Sequence, residues 1–397
     1  MLTEKEYGED TCWRALTPAT QQAARRRSII VFKRTPEGVQ QEIFVGFWEE
    51  TWDEVAAFLN SGNGGDIAVN RSKAFAFADG MASGEFDAFE EGVGPEVMAR
   101  VKYPELLPIY FLMIRAPSML PHYKDACELS HSVMCEAMSN NVIVPGETTT
   151  DDVSWWMWQR SIDLGFECWF QPSFGVQRAG VQGTLGGDTI IERGDFLWTD
   201  YGIDYAGMMT DQQHMGYVCH LGESGPPQGL IDGLKKTNWM QNTILEEMQV
   251  RTTDRSAIYL PSVDSRLHNL SADDRFRLPR PWQVGRTGNE VLAKFDERMR
   301  AEGIDGKMYS HAIGDHGHAA GPTIGLADMN NQPVPVKGDV GVLRDEMWYA
   351  VELSCSATVP EWGQQIVQFR QEENGVISTT GVNHFAFRRQ DVLHVVH

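Results

Sequence analysis

Five potential metal-ligating side chains follow one another along the back half of the chain: Asp200, Asp211, His311, Glu352 and Glu373. Four carboxylates and one imidazole make an oxygen-rich set that suits Mn, Co, Zn or Fe. Two such ions held side by side can share a bridging hydroxide at neutral pH, so the chemistry indicated is hydrolysis with that hydroxide as nucleophile.

The local sequence indicates how each residue is positioned. Asp200 and Asp211 lie in the stretch 198–211, where two apolar runs meet at the turn-prone Asp204-Tyr205-Ala206-Gly207. Read as a hairpin with Asp204 opposite Gly207, outward counting sets Asp200 directly across from Asp211, with Cβ atoms about 4.5–5.5 Å apart on one sheet face. Two carboxylates that close repel unless a cation lies between them. Glu352 sits in the nearly continuous apolar run 347–353, a strand buried on both faces, where an ionised carboxylate needs a metal or another cation. In the run 366–373, period-two alternation puts Glu373 on the face of Val367 and Phe369, and Glu372 on the face of Gln368 and Arg370. Alternation therefore selects Glu373 as the inward carboxylate.

His311 opens a Gly-rich segment that also holds His316 and His318 and cannot be a regular helix. From the residues alone, this is a solvated loop, a separate zinc site of three imidazoles, or a contribution to the carboxylate set.

The stretches Asp200-x-Gly202, Asp211, His311-Ala-Ile-Gly-x-x-x-His318, Glu352 and Glu373 resemble the creatinase, prolidase and aminopeptidase P superfamily, the "pita-bread" metallopeptidases. The resemblance runs from about Val142 to the C-terminus. It implies an α/β (α+β) fold with a C-terminal pita-bread domain, two divalent metal ions (Mn, Co, Zn or Fe), and Xaa-Pro aminopeptidase or dipeptidase activity. By the same resemblance Asp200 chelates one ion, Asp211 and Glu373 bridge both, and His311 and Glu352 bind the other. Glu352 then serves as general base, and His318 hydrogen-bonds the substrate or its tetrahedral intermediate. The implied substrate is a short peptide or small amide, and the implied assembly is a homodimer.

Some positions depart from the family pattern. Leu353-Ser354 follows Glu352 where Pro-Gly is common, Asn374 stands where an acidic residue often follows the last ligand, and Gln371 stands where an Arg often precedes it by two. The segment 170–180, which runs into a substrate-binding His in related peptidases, has none and offers Arg178 as a substrate-binding cation. Two other readings follow: a non-peptidase on the same fold, either a creatinase-like amidinohydrolase or a metal-dependent lyase, and a catalytically silent binding protein. Retention of the whole ligand set speaks against the last.

The elements that must hold these residues are readable in outline. A chain of 397 residues is long enough for a catalytic domain, 123–397, and a smaller N-terminal α/β domain, 1–122, which looks short at its start beside the family pattern. In the front part, 28–32, 42–46 and 66–70 read as strands and 51–59 as a helix. Apolar spacing predicts further helices over 123–139 and 228–250. Thr150-Asp151-Asp152 caps one that runs toward Gly165, and Thr287-Gly-Asn-Glu290 caps another that ends at Gly303. His131 in the first of these reads as a surface or packing histidine, and at least two of Trp155, Trp156 and Trp158 as packing residues.

A net charge of −21, from 55 acidic and 34 basic side chains, argues against nucleic acid, and Arg25-Arg26-Arg27 reads as a strand entry rather than a recognition patch. Six scattered cysteines read as reduced thiols. The polar, acidic start is not a secretory signal and no apolar run is long enough to cross a bilayer, so the expectation is a cytoplasmic protein without a membrane partner.

Overall fold

The computed structural model describes residues 2–4, 28–35, 38–45, 51–61, 64–73, 79–104, 106–249, 287–315, 317–318, 322–325, 347–378 and 382–397. The Arg25–Arg27 run and His316 lie outside these residues. The chain divides into two compact units, Met1–Leu112 and Met113–His397.

The first unit is a small α/β body. Strand β1 (Leu2–Glu4) pairs with β2 (Ser28–Thr35), which forms a hairpin with β3 (Gly38–Val45), and β4 (Ile67–Ala68) pairs with β5 (Val101–Lys102). Helix α1 (Trp52–Asn60) and helix α2 (Ser83–Met98), the latter broken at Gly94 before Pro95, share a core with the hairpin through Ile29, Val31, Phe44, Trp52, Phe89 and Val97.

The second unit is organised by a nine-stranded sheet. Its strands are β7 (Ser173–Gln177), β8 (Phe196–Tyr201), β11 (Gln212–Val218), β12 (Asp305–Ala312), β14 (Pro322–Ile324), β15 (Trp348–Val359), β16 (Gln365–Val376), β17 (His384–Phe385) and β18 (His394–Val396). The order is β14-β12-β15-β16-β11-β8-β7, with β17 on β16 and β18 on β11, and every pairing is antiparallel except β11 with β18. A four-stranded sheet adds β6 (Glu167–Cys168), β9 (Ile203–Tyr205), β10 (Met208–Met209) and β13 (Gly314–Asp315).

Four helices accompany the sheets: α3 (Leu120–Ala137), α4 (Thr150–Asp163), α5 (Gln228–Glu247) and α6 (Gly288–Ala301). The capping box read at Thr287 with Glu290 starts α6, whereas α4, expected to be capped from Thr150, is capped one residue earlier by Thr149 with Asp152; each box satisfies two otherwise unpaired helix N–H groups. Helix α5 lies against β15 and β16 so closely that a Cβ on Gly233 would sit 2.1 Å from the Phe369 ring. Odd-numbered residues of β16, Phe369 among them, thus face the helical layer. Even-numbered residues face the other side of the sheet. Of the three tryptophans in α4, Trp156 packs against the core, while Trp155 is 60% exposed and meets Trp158 edge-on.

Candidate metal centre

The hairpin forms with a register different from the one counted in the sequence. The turn is Ala206-Gly207, both at positive φ (55° and 81°), which pairs Tyr205 with Met208 and brings Gln213, not Asp211, opposite Asp200. Asp211 is therefore a diagonal neighbour of Asp200. A two-residue offset preserves side-chain parity, so both aspartates still project to one face.

On that face they meet a third carboxylate, and it is Glu372. One ligand atom from each of Asp200, Asp211 and Glu372 lies within 4.8 Å of the others, and Asp211 forms a similar group with His311 and His318. Asp211 is common to both groups. The expectation that alternation selects Glu373 is corrected here. The alternation itself holds, but the apolar face of β16 is the one buried against helices, and the carboxylate cluster lies on the opposite, polar face with Gln368 and Arg370. Arg370 stands two residues before Glu372 and acidic Glu373 follows it, the neighbours expected in the sequence reading around the last carboxylate.

Three atoms converge here without a hydrogen-bond partner: His311 Nε2, Asp200 Oδ1 and Glu372 Oε1. His311 Nε2 lies 3.5 Å from Asp211 Oδ2 and 3.9 Å from Glu372 Oε1. Its Nδ1 lies 3.0 Å from the Ala312 carbonyl, an arrangement that puts the proton on Nδ1 and leaves the Nε2 lone pair facing the carboxylates. Burial, then the neighbouring His318, depresses the His311 pKa to about 3, so this ring is neutral.

The carboxylates show the opposite strain. Burial, then the charge of Glu352, pushes Asp200 up to about 8. Asp211 is raised well above the usual range by burial, then by Asp200 and Glu352, and Glu372 by burial, then by Asp211, Glu352 and Asp200. Crowded buried carboxylates with unpartnered oxygens, facing an imidazole lone pair, fit divalent cations and fit little else.

Glu352 flanks this cluster. In register it stands between Tyr309 and Glu372, on strands β12 and β16. Burial raises its pKa, against hydrogen bonds from Tyr309 and Gln213. Arg370 is the nearby cation, interacting with Glu352 and Asp200 and lying 4.7 Å from the Trp198 ring. His318 is half-exposed, with Nε2 4.0 Å from Asp211 Oδ2 and its ring edge-on to His311 and Trp169. Trp169 is fixed by its Nε1–H, which donates to the Thr210 carbonyl at 2.7 Å. A Cβ on Gly202 would lie 2.3 Å from that nitrogen, which explains the glycine two residues after Asp200.

Arg178 is not brought to the site. It follows β7, whose opposite end pairs Ser173 with Asp200, roughly 16 Å away at about 3.3 Å per residue. Its Nε and Nη2 donate to both oxygens of Asp195, at 2.7 and 2.8 Å, and Nη2 also donates to the Ile190 carbonyl. A guanidinium so engaged is a structural clamp.

Glu373 lies on the other face, in a cluster that sequence reading missed. It accepts hydrogen bonds from His131 Nε2 (2.9 Å), Gln212 Nε2 (3.0 Å), His214 Nε2 (3.0 Å) and the Gln390 backbone N–H (3.0 Å). His131 is thus buried and bonded to a carboxylate, not at the surface, and His394 Nε2 continues the chain at 3.0 Å from His214 Nδ1. Burial alone would raise the Glu373 pKa, but His131 and His214 outweigh it and hold it at about 2. The polar run Gln212-Gln-His214 inside an otherwise buried strand was the sequence signal for this cluster.

Scanned against protein-family models the sequence matches none, and no curated protein matches it. Solved structures similar to this one include the X-Pro aminopeptidase from Thermotoga maritima, at 15% identity over 91% of this chain and 84% of that one, with a TM-score of 0.59. The Xaa-Pro dipeptidase from Bacillus anthracis is 18% identical, covers 88% and 80%, and gives 0.56. A prolidase from Thermococcus sibiricus is 12% identical, covers 100% and 95%, and also gives 0.56. At such identities the likeness is one of fold: this chain shares the pita-bread fold of these peptidases.

Proposed function

We propose that the protein is a hydrolase of peptide-type C–N bonds that depends on two divalent metal ions and acts on short peptides of the Xaa-Pro class. The observation that carries this reading is the convergence of His311 Nε2, Asp200 Oδ1 and Glu372 Oε1, all buried and unpartnered, on a fold shared with Xaa-Pro peptidases. Asp200, Asp211, Glu372, His311 and Glu352 would hold the ions. Bound there, a metal pair supplies Lewis acidity and a hydroxide at neutral pH.

The chain's own residues supply the rest. Glu352, with its raised pKa, accepts and returns a proton during bond cleavage. His318 reaches from the half-exposed rim, and its N–H would bond the substrate carbonyl as negative charge develops. Trp169 and Phe170, in edge contact at 4.6 Å, form an aromatic wall beside His318 for an apolar side chain or a proline ring.

The experiment is turnover of Xaa-Pro dipeptides and tripeptides by protein loaded with Mn or Co. Release of free amino acid, lost on chelation and restored by metal, is expected. A proline-peptide panel left intact by fully metallated protein would refute the peptidase assignment. A second reading, a creatinase-like hydrolase of a small amidino compound, is favoured by one observation: the segment 169–180 brings Trp169 and Phe170, and no histidine, beside His318.

A further inference from the structure

The two strands that present Asp211 and Glu372 are barely joined as a sheet. Strands β15 and β16 share twelve register pairs and β8 and β11 share six, but β11 and β16 share one, Gln213 with Glu372. Beyond that pair the strands fork, and the C-terminal segment enters the gap. Gln390 occupies it: its side chain accepts from Met215 N–H (2.9 Å) and donates to the Met215 carbonyl (2.6 Å), and its own carbonyl accepts from Gln371 Nε2 (3.0 Å).

Side chains take over where the backbone ladder is missing. Asp211 N–H donates to Asn374 Oδ1 at 3.3 Å, Gln212 and His214 donate to Glu373, and Gln213 Nε2 donates to Glu372 at 2.9 Å. Asp211 and the first three residues of β11 are thus tied to three consecutive residues of β16. Glu373 collects two of these ties and the Gln390 N–H, and it is 1% exposed at the point where the strands part.

We infer that Glu373 is a positioning residue: by pinning Gln212 and His214 to β16, it sets the offset and spacing between the strands that carry Asp211 and Glu372. This rests on the proposed metal centre. The carboxylate suits the task because it accepts from four donors at once. A glutamine there has one acceptor oxygen and would turn an N–H toward an imidazole N–H, so the fork would relax. His131 grips the same carboxylate from helix α3, an anchor that does not link the two strands.

The test compares Mn2+ affinities of wild type, Glu373→Gln and His131→Asn, measured by titration calorimetry well below each protein's melting temperature. Wild type should bind two Mn2+ ions. Glu373→Gln should bind them at least about tenfold more weakly, the range seen when groups that orient metal ligands are removed, whereas His131→Asn should stay within about threefold despite a lower melting temperature. If Glu373→Gln does not fold, Gln212→Met, which cuts one tie at the fork, should still weaken Mn2+ binding several-fold. Unchanged affinity in a folded Glu373→Gln or Gln212→Met protein overturns the inference. So does a third Mn2+ ion in wild type that Glu373→Gln alone loses, since Glu373 would then be a ligand itself. Wild type that binds no Mn2+ refutes the metal centre, a different failure from two ions bound equally by wild type and variant.

Discussion

Glu372 and Glu373 are chain neighbours, equally buried, and electrostatically opposite. Glu372 faces Asp200 and Asp211 with one oxygen unpartnered, and its pKa is driven up. Glu373 faces four hydrogen-bond donors, and its pKa is held at about 2. Burial acts on both in the same sense, so partners decide the difference. A carboxylate supplied with donors is finished as built; one supplied with other carboxylates requires a cation from outside.

The largest expected effect follows from removing the ligand shared by both groups of the centre. Asp211→Ala should lose metal loading and turnover together, read by elemental analysis and peptide assay. Full turnover in that variant with metal retained would contradict the assignment.

Stability should separate the two glutamates next. The Glu373 shift, from 4.5 to about 2, corresponds to ~3 kcal/mol of stabilisation. Glu373→Gln should therefore lower unfolding free energy by about that amount in urea denaturation. Glu372→Gln should instead raise the stability of the metal-free protein by about 1 kcal/mol at pH 8, because it removes a buried carboxylate crowded by Asp200 and Asp211. Equal destabilisation by both substitutions would erase the distinction.

The pH dependence of stability separates the two faces as well, with opposite signs. Asp200 has a folded pKa of about 8 against 3.8, so its contribution is complete below about pH 4 and is lost as pH rises through 8. Glu373 contributes above about pH 4.5 and loses that only as pH falls through 2. Metal-free protein should thus become less stable from pH 5 to pH 8, and saturating Mn2+ should reverse the trend. A flat urea midpoint over that range would argue against crowded carboxylates.

The sequence carried more of the fold than of the site. The capping box at Thr287 and the strand at 347–353 formed as read, because each depends on neighbouring residues, and the cap expected at Thr150 formed one residue earlier, at Thr149. Hairpin counting missed the register by two residues, since Ala206-Gly207 rather than Tyr205-Ala206 makes the turn, yet parity survived and both aspartates stayed on one face. Choosing between Glu372 and Glu373 failed for a different reason. Alternation gives two faces but not which of them helices cover, and α5 lies on the Phe369 side. His131 and His214, 83 residues apart in number, carried no joint signal because only the packing of α3 against the sheet unites them at Glu373. Arg178 looked available because its partner Asp195 lies across a loop closed by tertiary structure.

The most direct test is anomalous diffraction from crystals grown with Mn2+. Two peaks should appear among Asp200, Asp211, His311, Glu352 and Glu372, and none between His131, His214 and Glu373. A peak at Glu373, or none at Glu372, would contradict the division of labour between these two neighbouring carboxylates.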